Sequence, residues 1–455
     1  MESITSFNPA TGEAIGDYEL DSVHIIENKV RCSLNSFIDW KNTSAFDRSV
    51  YINVVASVLK KRKYELSSII TTEMGKPIRE SEQEIDDCID LCKYFAANVE
   101  KFLETEFVDT DAIISGFLYE PLGTILNITP WNFPFWQAFS TCIPALAAGN
   151  VVLLKHSSYV PMCSMEIENV FSQAGFPRGT FQTMMVKGNM IARLIARGEV
   201  KAVSFTGSSE TGKKVAAESG RHMKKFVLEL GGSDPFIVLK DADLEVAARE
   251  AVRARFLNAG QSCTAAKRII VDESVAKEFT GTFLERTREL KVDDPTSPET
   301  DMGPLVSEQQ MNKIQRQIDE TLSMGAEALL DGGPREGNGF FFMPTVLTNI
   351  RESDPVMQEE TFGPVAPIIT FKNEEEAVNL ANNTKFGLGA SVWSDDRDRF
   401  MNLISNIQAG FITINQVVEE DPRLPFGGFK ESGMGRMLYR IGMQEFMQLK
   451  SLKIY

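Results

Sequence analysis

Histidine is scarce in this chain: His24, His156 and His222 are the only three in 455 residues. A metal site would have to draw mainly on cysteine, of which there are six. Cys88 and Cys92 share a helix face at four-residue spacing, but a tetrahedral site needs two more ligands, so no metal is expected. Six cysteines in so long a chain make no disulfide framework either, which points to the reducing cytoplasm. Cys32, Cys142 and Cys163 read as packing residues. No run reaches the roughly 18 apolar residues of a membrane span, and Met1-Glu2-Ser3 opens no basic, apolar leader. Positive charge is short as well. With 47 Lys and Arg against 63 Asp and Glu, the net charge of -16 argues against nucleic acid or an anionic membrane as partner.

What is present is an ordinary globular composition, 43% hydrophobic and 24% charged, which excludes disorder as the default. A chain of this length divides into two or three domains. Short extended pieces up to residue 19 precede a helical layer from about Asp21 to Leu103, where apolar residues recur at helical spacing. Ile113 to Glu120 reads as a strand. Strands and helices then alternate: strands at Thr124–Ile128, Val151–Lys155, Phe181–Val186 and Ala202–Phe205, with helices from Pro134, from Pro161 and up to Ala196. That alternation predicts a parallel, doubly wound sheet, whose ligands sit beyond the carboxyl ends of its strands. A second series begins after Gly231-Gly232, with a strand at Phe236–Leu239 and a helix from Leu244 to Leu257. The ending Leu-Lys-Ile-Tyr is a strand without a partner nearby in sequence, the kind that completes a sheet in another subunit.

Chemistry concentrates at a few points. Cys263 follows Gly260-Gln261-Ser262 and reads as a nucleophile or as a small buried hydrophobe. Glu229, in Leu-Glu-Leu-Gly-Gly, is a candidate base. Thr129-Pro130-Trp131-Asn132-Phe133-Pro134 is a stiff loop in which Asn132 is the one strongly polar side chain, suited to an oxyanion hole or simply to a turn. Lys155 ends its strand ahead of His156-Ser157-Ser158, a natural place to meet a ribose or phosphate and equally a place for a surface lysine. Gly207-Ser208 opens a helix after Phe205-Thr206, either as a phosphate cradle or as an ordinary serine-capped start.

Seven segments in this order resemble the aldehyde dehydrogenase superfamily along nearly the whole chain. They are Pro-Trp-Asn-Phe-Pro at 130–134, Ala-Gly-Asn-Val-Val-Leu-Leu-Lys at 148–155, Phe-Thr-Gly-Ser at 205–208, Leu-Glu-Leu-Gly-Gly at 228–232, Gly-Gln-Ser-Cys at 260–263, Glu-Glu-Thr-Phe-Gly-Pro-Val at 359–365 and Pro-Phe-Gly-Gly-Phe-Lys-Glu-Ser-Gly at 425–433. The resemblance implies an α/β fold in three parts: a parallel Rossmann-type cofactor domain (1–101 and 122–231), a second α/β catalytic domain (232–432) and a small β oligomerisation element (102–121 and 433–455). It also implies NAD(P)-dependent oxidation of a small aldehyde to its acid through a cysteine thiohemiacetal and thioester. Carried over by motif, Cys263 is the nucleophile, Asn132 with the Cys263 amide holds the oxyanion, and Glu229 activates the hydrolytic water. Thr129, Pro130, Trp131, Lys155, Ser157, Ser158, Gly207, Ser208, Leu230, Glu360 and Phe362 line the cofactor, with Lys155 on the adenosine ribose and Glu360 on the nicotinamide ribose. A homodimer or homotetramer is expected.

Three details refine the likeness. Ser158 stands where many relatives have a glutamate that repels a 2'-phosphate, so NADP is expected over NAD. Thr141 occupies a place that commonly holds lysine. Lys155-His156-Ser157-Ser158-Tyr159-Val160 and Asp421-Pro422-Arg423 look like the shorter succinate-semialdehyde dehydrogenase group, in which Arg423 could meet a substrate carboxylate; the alternative for Arg423 is a surface loop, and small hydroxyaldehydes such as lactaldehyde or glyceraldehyde are the alternative substrates. Two rival functions are a CoA-acylating dehydrogenase, which does not need a base at Glu229, and a catalytically inactive structural relative, which needs no nucleophile.

Overall fold

The apolar run Val151–Lys155 is buried along its whole length, as a strand covered on both faces must be. It belongs to a six-stranded sheet in the order Gly433–Met434, Lys225–Glu229, Val200–Thr206, Thr124–Ile128, Val151–Lys155 and Phe181–Thr183, parallel except at Gly433–Met434. The computed structural model describes residues 2–455. A second sheet has seven strands, in the order Glu327–Leu330, Thr345–Thr348, Val365–Phe371, Ala266–Asp272, Asp234–Val238, Gly389–Trp393 and Phe411–Ile414. Only its first strand runs antiparallel. The chain crosses from one sheet to the other between Glu229 and Asp234, where the sequence has Leu-Gly-Gly-Ser.

The helical layer resolves into Val23–Trp40, Ala45–Met74 and Ile78–Phe102. Ser22 and Ser44 cap the first two through their side chains, each satisfying one orphan amide of the first turn. The helices Pro134–Ala147 and Pro161–Gln173 instead begin with proline and have no side-chain cap of their own. Buried glutamates of the helical layer supply it. Glu84 accepts from the amides of Phe135 (2.7 Å) and Trp136 (3.0 Å), and Glu73 accepts from those of Met162 (2.8 Å) and Cys163 (2.9 Å). A carboxylate at a helix N-terminus also meets the positive end of the macrodipole. All fourteen residues of Pro134–Ala147 are buried, so this helix is a core element shared by the helical layer and the first sheet.

The C-terminal strand corrects one expectation. Met447–Ile454 pairs antiparallel with Ile114–Pro121 of its own chain, from Met447 opposite Pro121 to Ile454 opposite Ile114, and Glu106–Phe107 lies on the other side. It needs no second subunit for its ladder. The buried Phe446 and Met447 anchor it to the core shared by the helical layer and the helix Pro134–Ala147, and the Asn150 side chain donates to the Phe446 carbonyl at 2.9 Å. A separation of more than 300 residues hid this pairing from local reading.

Candidate active site

Four strands of the first sheet end level with one another. Ile128 lies opposite Lys155 on one side and Phe205 on the other, and Thr206 lies opposite Glu229. At roughly 4.8 Å per strand, the row Lys155, Thr129, Gly207 and Glu229 spans about 14 Å, the scale of an extended dinucleotide.

The polar groups along this row suit a nucleotide. Lys155 is buried, and burial alone holds its ammonium down to about 8. The hydroxyls of Thr129 and Thr206 are buried without a partner, and such orphaned groups call for a ligand. Ser208 caps the helix Ser209–Arg221 by accepting from the Thr211 amide, which leaves the earlier first-turn amides without intrahelical acceptors. Gly207 donates its amide to the Glu229 carbonyl at 3.0 Å. Ser157 is half-buried and accepts from the Tyr159 amide, while Ser158 is exposed and neutral. His156 adds no charge: its ring receives the Ser157 amide at Nδ1 and so donates from Nε2 to the Pro134 carbonyl at 2.9 Å, and burial lowers it to about 4. Trp131, after Pro130, meets Phe362 edge-on at 5.6 Å and Tyr159 at 6.2 Å. Leu230 is buried and donates its amide to the Ser432 carbonyl at 2.8 Å.

The second sheet contributes the other wall. Its helix Leu244–Phe256 ends in a turn where Asn258, Ala259 and Gly260 all have positive φ, at 51°, 54° and 72°. Ala259 bears the cost there, on the order of 1 kcal/mol. Gly260 admits no larger residue, since a Cβ would lie 2.5 Å from the Gly363 carbonyl. The turn is tied down on several sides. Glu80 accepts from the Asn258 amide at 2.9 Å, the Asn258 side chain donates to the Asn132 carbonyl at 2.9 Å, and the Asn132 side chain donates to the Gln261 carbonyl at 3.1 Å. Asn132 and the Cys263 loop are therefore held against each other.

Behind Cys263, the fully buried Lys267 donates to the Cys263 carbonyl at 2.7 Å and to Glu360 at 3.2 Å. Glu360 also accepts from the Gly232 amide at 3.0 Å. The fully buried Arg255 donates to the carbonyls of Thr361, Gly363 and Val365 and so fixes the loop that carries Glu360 and Phe362.

Glu229 is 4% exposed and neither carboxyl oxygen has a partner. A Cβ on Gly427 would lie 2.8 Å from its Oε1, so the glycine of Phe426-Gly427-Gly428 leaves room for the carboxyl. Burial pushes Glu229 well above the usual carboxylate range; Glu420 adds to that and Arg436 opposes it. Burial also raises the Cys263 thiol, again with Glu420 adding and Lys267 opposing. Burial thus favours the uncharged form of each group.

Thr141 hydrogen-bonds Ser204 at 2.9 Å. Arg423 is exposed, and Asp421 holds its fork, with Nε 2.8 Å from Oδ1. Cys88, Cys92, Cys142 and Cys163 are buried, and all six cysteines are free.

Sequence reasoning passed over Glu80, Glu84, Lys267, Arg255 and Glu420, and also Lys76, whose buried ammonium pairs with Glu84. Glu80 and Glu84 carried the only local signal, charges four apart on a helix, a spacing that reads as a solvated face.

A row of strand-end polar groups on the scale of a dinucleotide, beside a cysteine, a glutamate and an asparagine, is an arrangement that suits a nucleotide-dependent oxidoreductase. Residues 1–452 match the aldehyde dehydrogenase family, and the chain belongs to that family. It is 42% identical over 452 residues to a probable NADP-dependent succinate-semialdehyde dehydrogenase of Synechocystis sp., covering 99% of this chain and 100% of that one. It is 39% identical to the NADP-dependent succinate-semialdehyde dehydrogenase of Mycobacterium avium, over 99% and 96% of the two chains. Among solved structures, a succinic semialdehyde dehydrogenase from Streptococcus pyogenes in complex with NADP+ superposes with a TM-score of 0.96 at 31% identity, over 99% of both chains. An NAD-dependent aldehyde dehydrogenase from Sinorhizobium meliloti does so with a TM-score of 0.96 at 35% identity, over 100% of this chain and 91% of that one. The protein is an NAD(P)-dependent aldehyde dehydrogenase.

Proposed function

We propose that this enzyme oxidises succinate semialdehyde to succinate with NADP preferred, and that Cys263, Glu229 and Asn132 carry the reaction. The observation that supports these roles is the Asn132 side chain held on the Cys263 loop, together with the buried, unpartnered carboxyl of Glu229. Cys263 Sγ attacks the aldehyde carbon, and the Asn132 side chain with the Cys263 amide holds the oxyanion. Bound NADP supplies the hydride acceptor. Glu229, once ionised, takes a proton from the water that hydrolyses the thioester. Lys155, Thr129, Ser157, Ser158, Gly207 and Ser208 would hold the adenosine and diphosphate half, and Trp131, Pro130, Leu230, Glu360 and Phe362 the nicotinamide half. The relatives' names support the substrate, and the neutral Ser158 and His156 beside Lys155 support NADP.

We assign 1–101 with 122–231 to cofactor binding, 232–432 to catalysis, and 102–121 with 433–455 to assembly into a homodimer or homotetramer. The exposed Phe107, Ile114, Leu449 and Leu452 on that small sheet support assembly. Among the described residues no helix is long and apolar enough to cross a membrane; six free cysteines favour a cytoplasmic setting.

One observation favours a hydroxyaldehyde such as lactaldehyde or glyceraldehyde instead. Arg423 could take a substrate carboxylate only by releasing Asp421. A panel of short aldehydes with NADP and with NAD tests the reading, and Arg423→Gln sharpens it. A several-fold rise in KM for succinate semialdehyde alone supports the semialdehyde; an unchanged KM, with faster turnover of the hydroxyaldehydes, supports the second reading. A clear preference for NAD would overturn the role given to Ser158.

A further inference from the structure

Asn258 is the first residue past the cap of the helix Leu244–Phe256, and its amide finds its acceptor 178 residues upstream, in the half-buried Glu80 at 2.9 Å. Asn258 and Ala259 are both left-handed, a conformation that persists only where the surroundings over-determine it. Asn258 is also the link to the proposed oxyanion donor. Its side chain donates to the Asn132 carbonyl at 2.9 Å and to the Gln261 carbonyl at 3.3 Å, and the Gln261 carbonyl accepts the Asn132 side chain at 3.1 Å. One N–H of the Asn132 amide is thus engaged in orienting it, and the amide has a second. Gln261 is fully buried and anchored by its own side chain, which donates to the Asn258 carbonyl at 3.0 Å and accepts from the Val306 amide at 2.9 Å.

Glu80 is fixed by the helix that carries it. The helix Ile78–Phe102 sets Glu80 and Glu84 four residues apart, on one face. Glu84 holds the amides of Phe135 and Trp136, just past Asn132, and pairs with the buried Lys76, whose ammonium also lies over the Phe133 ring, 3.6 Å from its centroid. At the same helix end the Ile78 amide donates to the Pro295 carbonyl at 2.8 Å, and Arg79 donates to the Thr300 carbonyl at 3.0 Å. The first turns of one helix therefore grip both sides of the site: Glu84 takes the loop of Asn132, and Glu80 takes the turn ahead of Cys263.

We propose that Glu80 is a positioning residue of the oxyanion hole: by accepting the Asn258 amide it holds the turn ahead of Cys263 in register with Asn132, and so sets the rate at which the aldehyde is attacked and oxidised. This deepens the reading of Cys263 and Asn132 given above and rests on it. Glu80 acts through Asn258 and need not touch the substrate. Its effect falls on the step in which charge develops on the aldehyde oxygen, where donors misplaced by about 1 Å lower the rate by about 10²-fold. Binding of the nucleotide is not affected, because the strand-end groups that suit it belong to the first sheet. What matters in Glu80 is an acceptor at the right reach; its charge, which lies among Lys76, Arg79 and Asp301, does not set the register.

The test measures NADPH formation in a single turnover, with the full-length protein in excess over succinate semialdehyde, alongside NADP affinity. Glu80→Ala removes the acceptor and is expected to slow the single turnover by about 10- to 100-fold, with NADP affinity within about twofold. Glu80→Asp keeps the charge but ends short of the Asn258 amide, and should slow it by about tenfold. Glu80→Gln discards the charge but keeps an acceptor of the same reach, and should recover the rate to within about threefold of the unaltered protein. The reverse order, with the aspartate variant fast and the glutamine variant slow, would mean that charge is what counts and overturns the proposal, as does an undiminished rate in Glu80→Ala. In an Asn132→Ala background the loss from Glu80→Ala should shrink to about twofold, since the donor it positions is gone. Losses that multiply instead place the effect elsewhere in the fold, and also overturn it. If Glu80→Ala does not fold, the aspartate and glutamine variants decide. Undiminished oxidation in Asn132→Ala or Cys263→Ala alone would instead defeat the underlying reading of the site, a separate result.

Discussion

Both sheets contribute strand ends and loops to the site, and these two edges of the site are finished differently. On the six-stranded side the strand ends carry polar groups in waiting: the ammonium of Lys155 is held down by burial alone, and the hydroxyls of Thr129 and Thr206 lack partners. On the seven-stranded side the buried cations Lys267 and Arg255 are engaged with the loops that carry Cys263 and Glu360. One edge is left open for a ligand to complete, and the other is assembled beforehand. A nucleotide that must come and go each turnover can satisfy the first edge, whereas the sulfur proposed as nucleophile needs a fixed position before the substrate arrives.

That contrast predicts which parameter each substitution moves. The largest effect belongs to Cys263→Ala, which should lower kcat by about 10⁴-fold or more while nucleotide binding, followed by fluorescence titration, stays within about twofold. Loss of nucleotide binding in that variant would break the division between the two edges. Glu229→Gln comes next. Steady-state turnover should fall by about 10²–10⁴-fold, yet rapid mixing should still show a burst of reduced cofactor before the thioester stalls. Because burial raises the Glu229 carboxyl, it is a neutral acid below its shifted pKa and a base only above it. Turnover limited by deacylation should therefore rise with pH through a range higher than an ordinary carboxylate's, and the glutamine variant should lose that limb.

Lys267→Met should destabilise the fold by about 2 kcal/mol in denaturant melts, since it leaves the Cys263 carbonyl and Glu360 short of a donor, and should lower kcat as well. The smallest effect is expected at the open edge. Lys155→Met should raise the dissociation constant for NADP about tenfold with kcat little changed. In the unaltered protein, NADP affinity should weaken as pH rises through about 8, where the buried ammonium of Lys155 loses its proton. If kcat rather than affinity falls in Lys155→Met, the open edge is not merely a docking edge.

The alternation of strands and helices was legible because parallel strands buried on both faces are written as unbroken apolar runs such as Val151–Lys155. The residues of the open edge were legible too, since each lies at a strand end inside a compact motif. The tied edge was not. Glu80 meets Asn258 and Glu84 meets Phe135 across separations of 178 and 51 residues, and no local pattern tells a buried capping glutamate from a solvated one. Glu420 was hidden within a run of three acids, and its donor, the Trp136 indole, lies 284 residues upstream. The C-terminal strand read correctly as a strand; its partner, more than 300 residues upstream, could not be read.

That last pairing bears on how the protein is made. The first sheet and the helical layer come from the opening half of the chain, yet Gly433–Met434 pairs beside Glu229 and Met447–Ile454 closes on Ile114–Pro121. A ribosome would finish nearly the entire polypeptide before these ladders could close, leaving the strand edge at Ile114–Pro121 unmatched throughout synthesis. Loop closure over such separations is slow, and exposed edges invite association of unfinished chains. Completion of the C-terminus is thus the step that seals the amino-terminal half, and shortening the chain by its last ten residues should harm folding yield more than a surface tail of that size would suggest.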